Sequence, residues 1–159
     1  GGAVISAPID LLASAEKLAL PKNKFINRNL LKYCVKNFNN MRNNLKNSPN
    51  YIVLKTHLLR DFDEGVTAPM GGYINAEDYY RKCSSIHTAS SINIPVLILS
   101  SNDDPIVDHS YLNVTQKNPN LEHIITNYGG HLGFIQHGPS GIHWMEDTLC
   151  SWFKSLLKT

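Results

Sequence analysis

The stretch Ile94-Pro95-Val96-Leu97-Ile98-Leu99-Ser100 constrains the fold more than any other part of the chain. It is apolar without alternation, short, and bounded by a proline and a polar loop, and it reads as the clearest strand in the sequence. Ala3-Val4-Ile5-Ser6-Ala7-Pro8 is a second such run, better suited to a buried strand of a parallel sheet than to an alternating edge strand. Leu121 to Thr126 supplies a third. What separates these runs is helical. Ile9 to Leu20 has Asp10 in a capping position, Leu11, Leu12, Ala15 and Leu18 at helical period, and Pro21 as a stop. Ile26, Leu30, Cys34, Phe38, Met41 and Leu45 recur every three or four residues and predict a longer helix with one apolar stripe. Its other face is Lys and Asn, and the asparagines at 37, 39, 40, 43, 44 and 47 read as compositional bias.

Tyr51 to Arg60 reads as helical again, Thr67-Ala68-Pro69-Met70-Gly71-Gly72 as a loop, and Asn75 to Cys83 as a short helix. Acids in its first turn and bases in its last match the helix dipole. Met145, Leu149, Trp152 and Leu156 mark a terminal helix. Strand, helical insertion, strand, helix, strand, helix is the order of an α/β fold with parallel strands joined by crossovers. Ligands on such sheets bind at the carboxyl ends of the strands.

With 159 residues, 42% of them hydrophobic, the chain can bury a core and amounts to one domain, which excludes a disordered tail or a collagen-like repeat. No apolar run approaches the ~20 residues that span a bilayer, and the opening Gly1-Gly2-Ala3 has neither a basic region nor a cleavage pattern. The expected location is cytoplasmic or peripheral to a membrane. Cys34, Cys83 and Cys150 are odd in number, far apart and without C-x-x-C spacing, so three reduced thiols are expected. Charge is segregated: Lys17 to Arg60 holds 10 Lys and Arg and no acid, whereas Asp61 to Thr159 holds 5 basic and 11 acidic residues.

The chemistry lies after the strands. Ser101-Asn102-Asp103-Asp104-Pro105 follows one, and Asn127-Tyr128-Gly129-Gly130-His131-Leu132-Gly133-Phe134 follows another. An acid leaving a buried strand and fixed by a proline can orient a histidine from a neighbouring loop, and flanking glycines let that histidine sit in a tight turn. The residues alone leave two readings open: an acid–base pair, or a strand-end aspartate capping a turn beside a loop histidine. No G-x-S-x-G nucleophile elbow occurs. Ser6, Cys83, Ser84, Ser85 and Ser140 are read as structural. His109, His123, His131, His137 and His143 lack H-E-x-x-H or other ligand-like spacing, so no metal and no cofactor is expected. Nucleic-acid binding is not expected either, because no basic–aromatic motif is present.

Arg60-Asp61-Phe62-Asp63-Glu64, Thr67-Ala68-Pro69, Gly72-Tyr73, Glu77-Asp78-Tyr79-Tyr80-Arg81, Cys83-Ser84-Ser85, Asp103-Asp104-Pro105 and Tyr128-Gly129-Gly130-His131-Leu132-Gly133-Phe134 together resemble the YheT-type, abhydrolase-domain branch of the α/β-hydrolases. The match runs from about Ala3 to the C-terminus and is weakest over Lys22 to Asn50. The resemblance implies the C-terminal half of an α/β-hydrolase fold: about three parallel strands, flanking helices, a helical cap and linking segment over about residues 11–93, and the Asp- and His-bearing strands with the last helix over 94–159. It implies a serine hydrolase acting on carboxylic esters or acyl lipids, with Asp104 as triad acid, Asp103 as the alternative acid, and His131 as triad base.

The family's nucleophile and oxyanion hole are not in this chain. The expectation is therefore that the chain is incomplete, the serine lying upstream of Gly1, and that it is inactive alone. A missing N-terminal half or a partner chain would cover the first strand. Two other outcomes stand beside ester hydrolysis: a non-catalytic, truncated or split interaction module, and acyl transfer to an alcohol. The basic block fits the family's cap and is read first as a solvated face, with membrane association as its functional alternative.

Overall fold

The computed structural model describes residues 1–44, 57–136 and 141–157. In chain order the regular elements are β1 (Gly2–Ile5), α1 (Leu11–Ala19), α2 (Lys24–Asn44), α3 (Leu59–Phe62), α4 (Ala68–Met70), α5 (Ala76–Cys83), β2 (Val96–Ser101), α6 (Leu112–Thr115), β3 (Leu121–Thr126) and α7 (Trp144–Leu156). They fall into two compact units, Gly1–Asp10 with Ser85–Thr159, and Leu11–Ser84.

The first unit is built on a parallel three-stranded sheet in the order β1-β2-β3. Ile5 pairs with Leu99, and Ser101 with Thr126. β2 is the middle strand, buried from Leu97 through Ser101, which is why its sequence cannot alternate. β1 and β3 are mostly half-buried. The strand expected over Ala3 to Ser6 ends at Ile5, because Ser6 takes a positive φ of 46° and turns the chain. The Ser6 N–H still donates to Leu99 O.

Ile9, Ala89, Ile98, Val107, Tyr111 and Leu121 form the core of this unit. Tyr111 is fully buried with its phenol 3.1 Å from Ser100 Oγ, which satisfies the one polar atom of a large apolar side chain. α7 carries Trp152 into a buried position, and its indole N–H donates to Glu122 of β3 at 2.7 Å.

The second unit is helical. α1 ends at Ala19, two residues before Pro21, as the sequence predicts. α2 buries Leu31 and Phe38, with Cys34 and Val35 partly covered, against Phe62 and Val66; Phe38 and Phe62 meet edge to face at 6.2 Å. The apolar stripe is rotated from the expected one: Leu31 is buried where Leu30 was expected, and Met41 is exposed. Leu45 lies outside the described residues, as does the segment 51–56 of the helix expected over Tyr51 to Arg60. Two asparagines of α2 and its approach have a structural task. Buried Asn23 donates to Lys17 O, and buried Asn27 both donates to His57 O and accepts from Leu59 N–H.

The loop expected over Thr67 to Gly72 is helical as far as Met70. α3 passes through a π-helical turn, Asp63–Thr67, into α4, and the chain breaks only at Gly72, with φ 77°. Side chains close the turn: Asp63 accepts from Thr67 Oγ1 and from the Tyr80 phenol, each at 2.7 Å, and Glu64 accepts from Ala76 N–H at 2.7 Å. Pro69 sits in α4 directly after the π-helical turn. Asn75 caps α5 by accepting from Asp78 N–H, and Asp78 receives Arg81 and Lys82 at 2.8 Å each. Cys34, Cys83 and Cys150 are free thiols.

Candidate active site

β2 and β3 are adjacent and parallel, so the loops leaving their carboxyl ends emerge side by side. The loop after β2 presents Asp104, which is 1% exposed. Pro105 has no N–H to offer, and the carboxylate reaches past it. Asp104 Oδ1 accepts from Ile106 N–H at 2.7 Å and from Val107 N–H at 3.1 Å, an Asx-type turn that fixes the side chain to its own backbone. The other oxygen is then aimed away from the turn, and Asp104 Oδ2 lies 3.0 Å from His131 Nδ1.

The loop after β3 delivers that histidine through two glycines. Gly129 has φ 155° and Gly130 φ 54°. A Cβ on Gly129 would come within 2.7 Å of the Phe134 ring, so both backbone angle and space demand glycine there. Gly133 N–H closes the loop on Gly129 O at 2.7 Å.

Asp103 does not touch the histidine. Its Oδ1 accepts from Gly130 N–H at 2.8 Å and from Ser101 Oγ at 2.8 Å, while the same Ser101 hydroxyl lies 2.6 Å from Gly130 O. Buried Ser101 and exposed Asp103 thus grip both backbone groups of the residue before His131. The Ser101 hydroxyl and the Gly130 N–H hold the Asp103 carboxyl below the usual carboxylate range. The two consecutive acids divide the labour, one on the imidazole and one on its loop. The sequence signal for the second role was the Asp-Asp pair itself; the resemblance gives Asp104 to the histidine, with Asp103 as its alternative, and assigns no task to the acid left over.

A carboxylate only accepts, so the His131 proton sits on Nδ1 and the lone pair on Nε2. The side chain is 36% exposed, and Nε2 has no hydrogen-bond partner among the described residues. An imidazole held this way can take up a proton at Nε2. Around it, Tyr128, Leu132 and Ile135 are exposed apolar side chains, and a groove of about 240 Å³ runs between Tyr128, Phe134, Ile135 and Trp144.

Among the described residues of this unit, no serine or cysteine reaches Nε2. Ser6 is buried at the end of β1 with its Oγ unpartnered, Ser84 donates to Tyr80 O at 2.6 Å inside the helical unit, and Ser140 lies outside the described residues. Among the described residues no three His, Cys, Asp or Glu side chains gather as metal ligands. His123 instead pairs with Thr115 Oγ1 at 2.8 Å, and burial lowers its pKa. His137 is outside the described residues. No helix of the described residues is long and apolar enough to cross a membrane.

No family model and no solved structure matches the chain. Curated proteins do. The chain is 36% identical to YheT of Escherichia coli over 104 residues, which is 63% of this chain and 30% of the relative. It is 32% identical to human phospholipase ABHD3 over 138 residues, 84% of this chain and 34% of the relative. It is 32% identical to the monoacylglycerol lipase of Saccharomyces cerevisiae over 159 residues, 94% of this chain and 35% of the relative. The chain thus spans about a third of the length of these relatives. Sequence likeness and a parallel sheet flanked by helices agree: the chain is a partial α/β-hydrolase of the YheT and abhydrolase-domain branch.

Proposed function

We propose that this chain supplies the base and the orienting acid of a serine hydrolase acting on carboxylic esters, with His131 and Asp104 in those roles. The observation that carries the proposal is the 3.0 Å pair between Asp104 Oδ2 and His131 Nδ1 at the carboxyl ends of two adjacent parallel strands. The nucleophile is a serine outside these 159 residues, from further sequence of the same protein or from a partner chain, since no elbow motif occurs within them.

In the reaction, the serine Oγ attacks the ester carbonyl carbon while Nε2 of His131 takes its proton. The resulting imidazolium is held by Asp104 and returns the proton to the leaving alcohol as the acyl–oxygen bond breaks. Water then attacks the acyl-enzyme by the same proton path, releasing the carboxylic acid and the free serine. The exposed Tyr128, Leu132 and Ile135 give this site an apolar margin suited to acyl chains. One similar protein is named a medium-chain fatty acid ethyl ester synthase/esterase, 36% identical over 96 residues. An alcohol taking the place of water in the second step would make the same site an acyltransferase.

The test is hydrolysis of short-chain p-nitrophenyl esters by the full-length protein. His131→Ala should lower kcat on the order of 10³-fold or more. Retention of the parental rate sinks the assignment. Ethyl ester formation on adding ethanol would favour acyl transfer. A fluorophosphonate probe should label the full-length protein and not the 159-residue chain.

A further inference from the structure

α2 carries Lys24, Arg28, Lys32 and Lys36 at a constant spacing of four residues, and all four are exposed. That spacing puts them in one row along one side of the helix. None of the four is in an ion pair with another of the described residues. There is no acid to pair with nearby in sequence, because Lys17 to Arg60 contains none.

This row is unfavourable to the helix that bears it. Like charges at i,i+4 repel, and Lys24 and Arg28 lie toward the helix N-terminus, where the dipole disfavours cations and where the first turn has no acid. An anionic surface laid against the row removes both penalties. The face is also not purely polar. Phe25 is 77% exposed and Tyr33 66% exposed, and a groove of about 990 Å³ runs beside the row with aliphatic Leu31 and Val35 in its lining and His57 at one wall. Cations, exposed aromatic rings and an aliphatic floor on one amphipathic helix are what the interface of a bilayer accepts: headgroup phosphates meet the ammonium and guanidinium groups, and the rings settle at headgroup depth.

We propose that the Lys24–Lys36 face of α2 docks on an anionic phospholipid bilayer, with Phe25 and Tyr33 entering the headgroup layer. The proposal is independent of the ester-hydrolase reading, since its readout is partitioning and not turnover. A single-stranded nucleic acid also favours cations beside aromatic rings. Inside the groove the lining is aliphatic at Leu31 and Val35, with His57 as its one aromatic ring, and this apolar floor favours lipid.

The experiment is flotation of the 159-residue chain with vesicles of phosphatidylcholine alone, or of equal parts phosphatidylcholine and phosphatidylserine, over a sodium chloride series. The chain should float with the anionic vesicles and be released as salt rises. Arg28→Gln, Lys32→Gln and Lys36→Gln combined should weaken partitioning on the order of 100-fold, at about fivefold for each charge removed near the surface. Phe25→Ala with Tyr33→Ala should weaken it separately while leaving the salt dependence in place. All five side-chain changes are at exposed sites, and far-UV circular dichroism verifies that α2 persists. No flotation of the parent chain, equal flotation with both vesicle types, or a triple variant that floats like the parent overturns the proposal. Capture by homopolymer RNA with no flotation overturns it in favour of a nucleic-acid surface.

Discussion

Asp104 uses its two oxygens for different tasks, and the difference predicts its mutants. Oδ1 is held by Ile106 and Val107 N–H groups, so the side chain is fixed whether or not His131 is present; Oδ2 alone orients the imidazole. Asp104→Asn keeps the volume but removes the charge that stabilises the imidazolium and can present an NH₂ to Nδ1, turning the tautomer round. In the full-length protein kcat is expected to fall on the order of 10³- to 10⁴-fold with KM little changed, as steady-state ester kinetics will read. Asp103 predicts a different phenotype. Its folded pKa lies below the ordinary 3.8, so its hold on the His131 loop is complete above that value and is lost as pH falls through the lower, folded one. Amide NMR of Gly130 should therefore show protection at neutral pH that disappears only in strong acid. Asp103→Asn should abolish that acid step, and Ser101→Ala should expose Gly130 without altering Asp104. Gly129→Ala meets both a φ of 155° and the Phe134 ring at 2.7 Å, and is expected to cost about 1–3 kcal/mol in urea unfolding.

Among the elements, the helical unit is fastened by polar side chains reaching between segments. Asn27 on α2 is buried and makes two bonds to the backbone that opens α3, so Asn27→Ala leaves the Leu59 N–H without its acceptor. A loss of about 1–3 kcal/mol is expected in the urea midpoint, with the m-value unchanged if the unit still folds as a whole. The π-helical turn carries the opposite kind of acid from Asp103. Burial pushes the Asp63 carboxyl up, against the lowering from its bonds to Tyr80 and Thr67. A folded pKa raised above the ordinary value favours the fold at low pH and loses that contribution as pH rises from about 3.8 through the folded value. Thermal melts should show this unit losing stability across that window, and Asp63→Asn should flatten the dependence. The sequence around the turn held the clue only in part. Asp-Phe-Asp-Glu and Thr-Ala-Pro-Met-Gly-Gly look like a helix end and a loop, and it is Tyr80, thirteen residues beyond Thr67, that makes Asp63 hold the chain helical.

For the whole molecule, the sheet sets both the opportunity and the liability. β1 pairs with β2 on one side only among the described residues, and an unpaired strand edge is a template for another strand. Sedimentation velocity over a concentration series is expected to show the isolated chain associating beyond its 17.8 kDa mass, and addition of the polypeptide that bears the nucleophile to suppress that association. What the linear order of residues determined on its own is local and periodic: three strands, their parallel arrangement, the short helix over Asn75 to Cys83, the terminal helix, and the two strand-end loops that hold Asp104 and His131. These follow from nearest-neighbour sterics, apolar period and turn chemistry, which act over a few residues. What only the tertiary structure decided is relational. That Asp103 holds the Gly130 N–H while Asp104 meets the imidazole depends on how the β2 loop turns against the β3 loop, a matter of 27 residues of separation. Which side of α2 is buried depends on Phe62 and Val66 arriving from beyond it, and where β1 stops depends on Ser6 accepting a left-handed angle to keep its bond to Leu99. Contacts across such distances carry no periodic signal in the chain, because their partners are chosen by packing and not by spacing.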